Sequence, residues 1–289
     1  MVQHDGSIQT DSNVGGPCLV KETTKPQTTT SSPCGGKIVS SSHHPSTSST
    51  NSFKNVVFDF DSTVIKSESL EVMLEVVLAD DPLKEKKMKE IAAWTEKGMN
   101  GECSFKEGLE ARLKIASPTL ADLEKFCQKY CPSDFSAGME DLVAELHKSG
   151  HEVFILSGGF RDLILPFARH LHVPDENVFA VEINWDSEGR FDSLNETNGF
   201  AVSKLDGAAK IQHRFADGRT VAIGDGFTDY KLYESGICAD FIAYTEHAAR
   251  DKVIAVAPRC APDAVTLWKY LLTKQCDSGV TTRASTTTE

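Results

Sequence analysis

The sequence predicts an α/β protein: a doubly wound parallel sheet with an α-helical cap inserted after its first strand. Three observations lead there. A short apolar run, Asn55-Val56-Val57-Phe58, ends on acids, as a strand covered on both faces does. Helical periodicity then recurs four times with no strand between. From about residue 139 helix and strand alternate, the rhythm of parallel strands joined by crossover helices.

The opening strand delivers Asp59-Phe60-Asp61 at its C-terminal end. Helices are expected at about 69–79, 83–97, 104–116 and 119–131, the last opened by Thr119 with Asp122 three residues on, a capping-box pattern. The alternating half reads as helix 139–149, strand 152–156, helix 162–171, strand 178–184, helix 205–215, strand 220–223, helix 228–235, strand 241–243 and a last helix near 262–272. The chain therefore divides into a Ser/Thr-rich tail (1–52), an α/β core (53–67 and 134–275), a helical cap insertion (68–133) and a second polar tail (276–289). Both tails hold too few apolar side chains to offset the entropy of ordering them, and disorder is expected. In a Rossmann-like sheet ligands bind beyond the carboxyl ends of the strands, and the cap would hang over that edge.

Of the 289 residues, 40% are hydrophobic and 25% charged, a soluble globular balance. Acidic side chains outnumber basic ones 42 to 30, for a net charge of -12, which repels nucleic acid and anionic lipid. Neither is expected as a partner. No run approaches the roughly 18 apolar residues that span a bilayer, and the N-terminus lacks a charged-then-apolar leader, so the expected address is the cytoplasm. The eight cysteines form no CxxC pair and are read as reduced thiols. Cys127 and Cys131, at i,i+4, are read as helix packing rather than half of a metal site, since no matching pair lies nearby.

Three strand ends carry the chemistry: Asp59 and Asp61 after the first, Ser157-Gly158-Gly159 after Val153-Phe154-Ile155-Leu156, and Gly224-Asp225-Gly226-Phe227-Thr228-Asp229 after Val221-Ala222-Ile223. Residues two apart in extended chain project to one side, so both aspartates of the first segment reach the crevice, and different burial would suit them to different tasks. With Asp225 and Asp229 they gather four carboxylates, a cluster that repels itself unless a hard cation neutralises it. All-oxygen ligation without Cys or His favours magnesium. Ser157, flanked by glycine at an expected helix start, offers a hydroxyl and open backbone N–H groups as a seat for phosphate oxygens. Each motif alone is common; their order, their strand-end placement and the lysine between the second and third make the signal.

Asp59-Phe60-Asp61-Ser62-Thr63, Ser157-Gly158-Gly159, Lys204 and Gly224-Asp225-Gly226-Phe227-Thr228-Asp229 resemble the four motifs of haloacid dehalogenase-type phosphatases. Glu68, Gly98-Met99-Asn100-Gly101, and Phe105 followed by Leu109 and Arg112 are similar to the cap signature of the phosphoserine phosphatase subgroup. The resemblance covers about residues 54–272. It implies that Asp59 attacks phosphorus to form an aspartyl-phosphate, that Asp61 is the general acid and base, and that Mg2+ is held by the Asp59 carboxylate, the Asp61 main-chain carbonyl, Asp225 and Asp229. Ser157, the Gly158 N–H and Lys204 would stabilise the phosphoryl oxygens. Lys204 is preferred to Lys210 because it stands just before a helix at the crevice, whereas Lys210 lies mid-helix, opposite the apolar face of Ala208, Ile211 and Phe215. Glu68 would pair with a substrate amino group and Arg112 with its carboxylate, Met99 and Phe105 would form apolar walls, and Thr228 would contact the substrate where many relatives carry Asn.

Two features depart from the subgroup pattern: a longer cap stretch at 77–87, and Phe227 in place of a small residue. Both bear on specificity. The expected activity is hydrolysis of O-phospho-L-serine, the last step of serine biosynthesis, with two alternatives: a phosphatase or phosphotransferase acting on another small phosphomonoester, and a non-catalytic binding or regulatory protein that keeps the fold.

Overall fold

Parallel pairing on both sides explains the apolar opening run. β1 (Asn55–Phe58) is buried at every residue and lies between β2 (Glu152–Phe160) and β5 (Thr220–Gly224). The computed structural model describes residues 53–99, 102–216 and 218–273; the two tails, and Asn100 and Gly101 of the cap signature, lie outside them. The sheet order is β4-β3-β2-β1-β5-β6-β7, with β3 (Val178–Trp185), β4 (Phe191–Asn195), β6 (Asp240–Tyr244) and β7 (Arg259–Ala261). All neighbours are parallel except β3 and β4. Winding reverses at β1, and such a reversal opens a crevice at the strand C-termini.

Between β1 and the next core helix the chain inserts α1 (Ser69–Val77), α2 (Lys84–Met99), α3 (Phe105–Ala116) and α4 (Leu120–Tyr130). The capping box forms as read: Thr119 Oγ1 accepts from Asp122 N, and Asp122 Oδ2 accepts from Thr119 N. The core helices follow as α5 (Met139–Lys148), α6 (Arg161–His170), α7 (Lys204–Ile211), α8 (Phe227–Glu234), the short α9 (Asp251–Ile254) and α10 (Ala264–Leu272). No helix among the described residues is long and apolar enough to cross a membrane.

Four aromatic rings tie the inserted helices to the sheet beneath the crevice. Phe167 of α6 meets Phe60, just after β1, at 5.3 Å and Phe135 at 5.5 Å, both edge-on, and Phe126 of α4 at 6.3 Å. Phe60, Phe126 and Phe167 expose no surface. Edge-to-face geometry adds to the large area such rings bury.

The structure differs from the sequence expectation in five places. The strand expected at 152–156 continues through Ser157-Gly158-Gly159 to Phe160, pairing with β3 across a register shift; glycine's poor strand propensity hides this. The expected helix at 205–215 is α-helical only to Ile211 and closes with a 3₁₀ turn over Gln212–Phe215. Strands β4 and β7 and the short α9 were not expected; β4 and β7 are edge strands of five and three residues, too short and polar to leave a period.

Because Phe167 joins both layers, Phe167→Ala is expected to lower the unfolding free energy by about 3–5 kcal/mol, measured by urea denaturation. A loss under about 1 kcal/mol would show the ring cluster to be dispensable.

Candidate active site

Asp59 follows β1 directly, its N–H still bonded to the Ile223 carbonyl of β5 at 2.8 Å. The chain then folds into a tight turn over Phe60–Val64, in which Asp61 is extended and Ser62 has φ 52, a left-handed conformation that is unfavourable for a residue with a Cβ. The turn is held from outside. Ser62 N donates to the Ser67 carbonyl at 3.2 Å, and Ser62 Oγ to Glu68 Oε1 at 2.8 Å. Asp59 and Asp61 are thereby set side by side in different surroundings.

Asp59 Oδ1 accepts from Phe60 N and sits 2.7 Å from Lys204 Nζ. Lys204, the first residue of α7, is buried and also donates to Asp229 Oδ1 at 2.6 Å. Burial opposes charge on this lysine, but Asp229 and Asp59 outweigh it and hold the ammonium above its ordinary range. Asp229 Oδ2 accepts from Gly226 N at 3.0 Å, closing the loop between β5 and α8. Gly224 is a steric requirement here, because a Cβ on it would lie 2.3 Å from the Asp229 carboxylate.

Asp61 has no cationic partner among the described residues. Its Oδ1 accepts from Ser69 N at 2.7 Å. Enclosure by protein first, and the Asp59 charge second, push its carboxyl up to about 8 against the pull of the Ser69 hydrogen bonds.

Asp59, Asp225 and Asp229 each present a carboxylate oxygen within 4.8 Å of the others. Burial first, then Asp59, pushes Asp225 upward despite its bond to Arg250. Crowded oxygens of this kind, with no nitrogen or sulfur donor among them, fit a hard divalent cation. The Asp61 carboxylate is not part of the group.

Ser157 is buried inside β2, and its Oγ accepts from Gly159 N at 2.9 Å. It therefore lies within the strand and not at a helix start. A Cβ on Gly159 would come within 3.1 Å of Asp61 Oδ2, 3.2 Å of Ser157 Oγ and 3.3 Å of Ser69 Oγ, so this glycine lets Asp61 and the second motif meet. Gly158 faces the cap: Phe105, partly exposed, brings its ring tip within 3.8 Å of where a Gly158 Cβ would stand. Thr228 is exposed in the first turn of α8, its Oγ1 close to Gly226. Arg112, on α3, donates from Nε to the Gly108 carbonyl at 3.1 Å and approaches Glu71 at 3.9 Å; it is not drawn to Glu68. The Met99 side chain lies outside the described residues. Lys210, exposed, donates to the Thr197 carbonyl instead of the crevice.

Arg250 escaped the sequence reading. From the loop after β6 it binds Asp225 Oδ2 through Nε and Nη2, both at 2.8 Å, and stands 3.7 Å from Glu68. A signal was present: the loop follows a fourth strand ending on the same edge of the sheet. Nothing in its irregular sequence separates this arginine from other surface charges.

Residues 56–234 match the model of the haloacid dehalogenase-like hydrolase family. The chain is 35% identical over 210 residues to the chloroplastic phosphoserine phosphatase of Arabidopsis thaliana, covering 71% of this chain and 68% of that one. It is 30% identical over 176 residues to human phosphoserine phosphatase, covering 60% and 74%. Among solved structures it resembles a phosphoserine phosphohydrolase-like protein from Francisella tularensis, at 46% identity and a TM-score of 0.68, over 76% of this chain and all of that one.

The environment of Asp61 has a stability consequence. A carboxyl raised to about 8 by folding takes up a proton on folding between its unfolded value and about 8, so its cost to stability grows as pH rises through that window. In EDTA-treated protein, Asp61→Asn is expected to match the wild-type melting temperature near pH 4 and to exceed it by several degrees at pH 8. An equal difference at both pH values would contradict the assignment.

Proposed function

The chain belongs to the haloacid dehalogenase-like hydrolases and hydrolyses phosphoric monoesters, and from this premise we propose that its substrate is O-phospho-L-serine, cleaved to L-serine and phosphate through an aspartyl-phosphate on Asp59. One observation carries the mechanism: two carboxylates of a single turn have opposite surroundings. Asp59 lies against the Lys204 ammonium, while Asp61 has no counter-cation among the described residues and is pushed up to about 8. Divergence of this kind separates nucleophile from acid.

An Asp59 oxygen attacks phosphorus as the bond to the serine oxygen breaks, and protonated Asp61 supplies the proton that the leaving oxygen needs. Asp61, now ionised, takes a proton from water; the hydroxyl attacks phosphorus, the Asp59–phosphoryl bond breaks, and phosphate leaves. Lys204 and the Ser157 hydroxyl stabilise charge on the phosphoryl oxygens. Asp59, Asp225, Asp229 and the Asp61 carbonyl would hold Mg2+. When bound, that ion supplies charge neutralisation between two anions that would otherwise repel.

For the substrate's own groups, Glu68 offers a carboxylate to the ammonium, and Arg112 a guanidinium to the carboxylate, with Phe105 as an apolar wall over Gly158. Arg250, half exposed beside Glu68, adds a second guanidinium at the mouth. Similarity to the named phosphoserine phosphatases supports this assignment and, with it, a role at the last step of serine biosynthesis.

Phosphate release from L-phosphoserine is expected to exceed that from O-phosphoethanolamine, which lacks the carboxylate, by at least about tenfold in kcat/KM, and Arg112→Met should erase the difference, the scale of one lost charged hydrogen bond. Equal turnover of both compounds by the wild type would overturn the substrate assignment while leaving the phosphatase intact.

A further inference from the structure

Several hydrogen-bonding groups outside the reaction scheme converge behind the turn that carries Asp59 and Asp61. The outgoing and returning connections of the inserted helices run side by side there: Ile65 bridges Phe135, and Lys66 N donates to the Asp134 carbonyl at 2.9 Å. Ser136, on the returning connection, is buried and grips the turn twice. Its N–H donates to the Val64 carbonyl at 3.0 Å, and its hydroxyl to the Thr63 carbonyl at 2.6 Å.

The Ser136 hydroxyl is also 2.9 Å from Nε2 of His247. A serine hydroxyl has one proton. Because that proton goes to the Thr63 carbonyl, which can only accept, His247 must donate from Nε2, and the chain of donors runs His247 to Ser136 to Thr63. His247 sits in the loop after β6, where Glu246 accepts from the hydroxyl of fully buried Tyr244 and lies 3.8 Å from His247 Nε2. The same loop ends in Arg250, on Asp225 and near Glu68. One loop thus touches both the back of the nucleophile turn and the front of the acidic cluster.

We propose that His247 is a positioning residue for the phosphatase reaction: through Ser136 it fixes the Thr63 carbonyl, and with it the strained turn that aims Asp59 and Asp61. The inference rests on the phosphatase reading given above. The turn needs such support, since Ser62 at φ 52 favours relaxation wherever its neighbours permit it. Without the imidazole N–H the Ser136 oxygen loses a donor that holds it in place against the Thr63 carbonyl, and the outer half of the turn loosens. Small displacements of a nucleophile are costly: a shift of about 1 Å can reduce rate on the order of a hundredfold.

The test compares His247→Ala, His247→Gln and Ser136→Ala in the full chain, on L-phosphoserine and on p-nitrophenyl phosphate, with backbone amide exchange of residues 62–66 and 136 as a second readout. His247→Ala is expected to lower kcat about tenfold on both substrates with KM changed less than about twofold, and to speed exchange of those amides. His247→Gln, whose amide N–H can reach the place of Nε2–H, should recover kcat to within about threefold and restore slow exchange. Ser136→Ala should reproduce the loss, and the double variant His247→Ala/Ser136→Ala should be no worse than either alone, as members of one chain behave. Wild-type kcat and exchange in folded His247→Ala, or additive losses in the double variant, would overturn the proposal. Should His247→Ala not fold, the decision passes to the rescue by His247→Gln and to Ser136→Ala. A wild type active on p-nitrophenyl phosphate but not on phosphoserine refutes the substrate assignment alone. If it were active on neither, unchanged exchange in His247→Ala would overturn the positioning role and faster exchange would sustain it.

Discussion

The Lys204 ammonium lies between two enclosed carboxylates, 2.7 Å from Asp59 and 2.6 Å from Asp229, and the rest of the site is arranged around that balance. Removing an ion from water costs several kcal/mol even after the protein relaxes, so acids this deep require cations. Lys204 can reach both because α7 begins at that residue, behind the strand ends that carry Asp59 and the loop to Asp229. Arg250 performs the equivalent task for Asp225 from the opposite side. Two cations against three carboxylates that lie within 4.8 Å of one another leave an excess of negative charge, the demand that a hard divalent ion would meet.

Asp61 is left out of this pairing, and its chemical difference from Asp59 follows. The two acids share one turn, yet one faces an ammonium and the other faces Ser157, Gly159 and Ser69. A carboxyl held up to about 8 can deliver a proton near neutral pH without being a strong base at rest. Backbone geometry makes the separation possible. Ser62 in a left-handed conformation reverses the chain immediately after Asp61, and the hydrogen bonds from Ser62 to Glu68 and from Ser136 to Thr63 hold that reversal from its two sides.

Much of this was legible in the amino-acid order, where local chemistry and tertiary role coincide. The β-branched run before Asp59 reads as a buried strand because it is buried on both faces. Thr119 and Asp122 read as a helix start because their side chains satisfy the first backbone donors. Position alone separates Lys204 from Lys210, and the two go to the crevice and to a peripheral carbonyl respectively. The illegible parts are those that only the fold brings together. Ser157-Gly158-Gly159 has the composition of a turn, but Leu156 before it and Phe160 after it both pair with β3, which carries the segment along in the strand across an irregularity. Arg250 and His247 sit in an aperiodic loop far along the chain from the residues they hold, and no spacing rule links position 250 to Asp225 or 247 to Ser136. The hairpin strand β4 is likewise defined by its partner and not by its own propensity.

Trapping the proposed aspartyl-phosphate is the most direct test of the roles proposed for Asp59 and Asp61. Rapid acid quench during turnover of phosphoserine, borohydride reduction and peptide mass analysis should convert the side chain at position 59 to that of homoserine, with Asp61, Asp225 and Asp229 unchanged. Reduction at any of those three instead of Asp59, or no reduced residue despite steady phosphate release, would contradict the assignment of Asp59 as nucleophile.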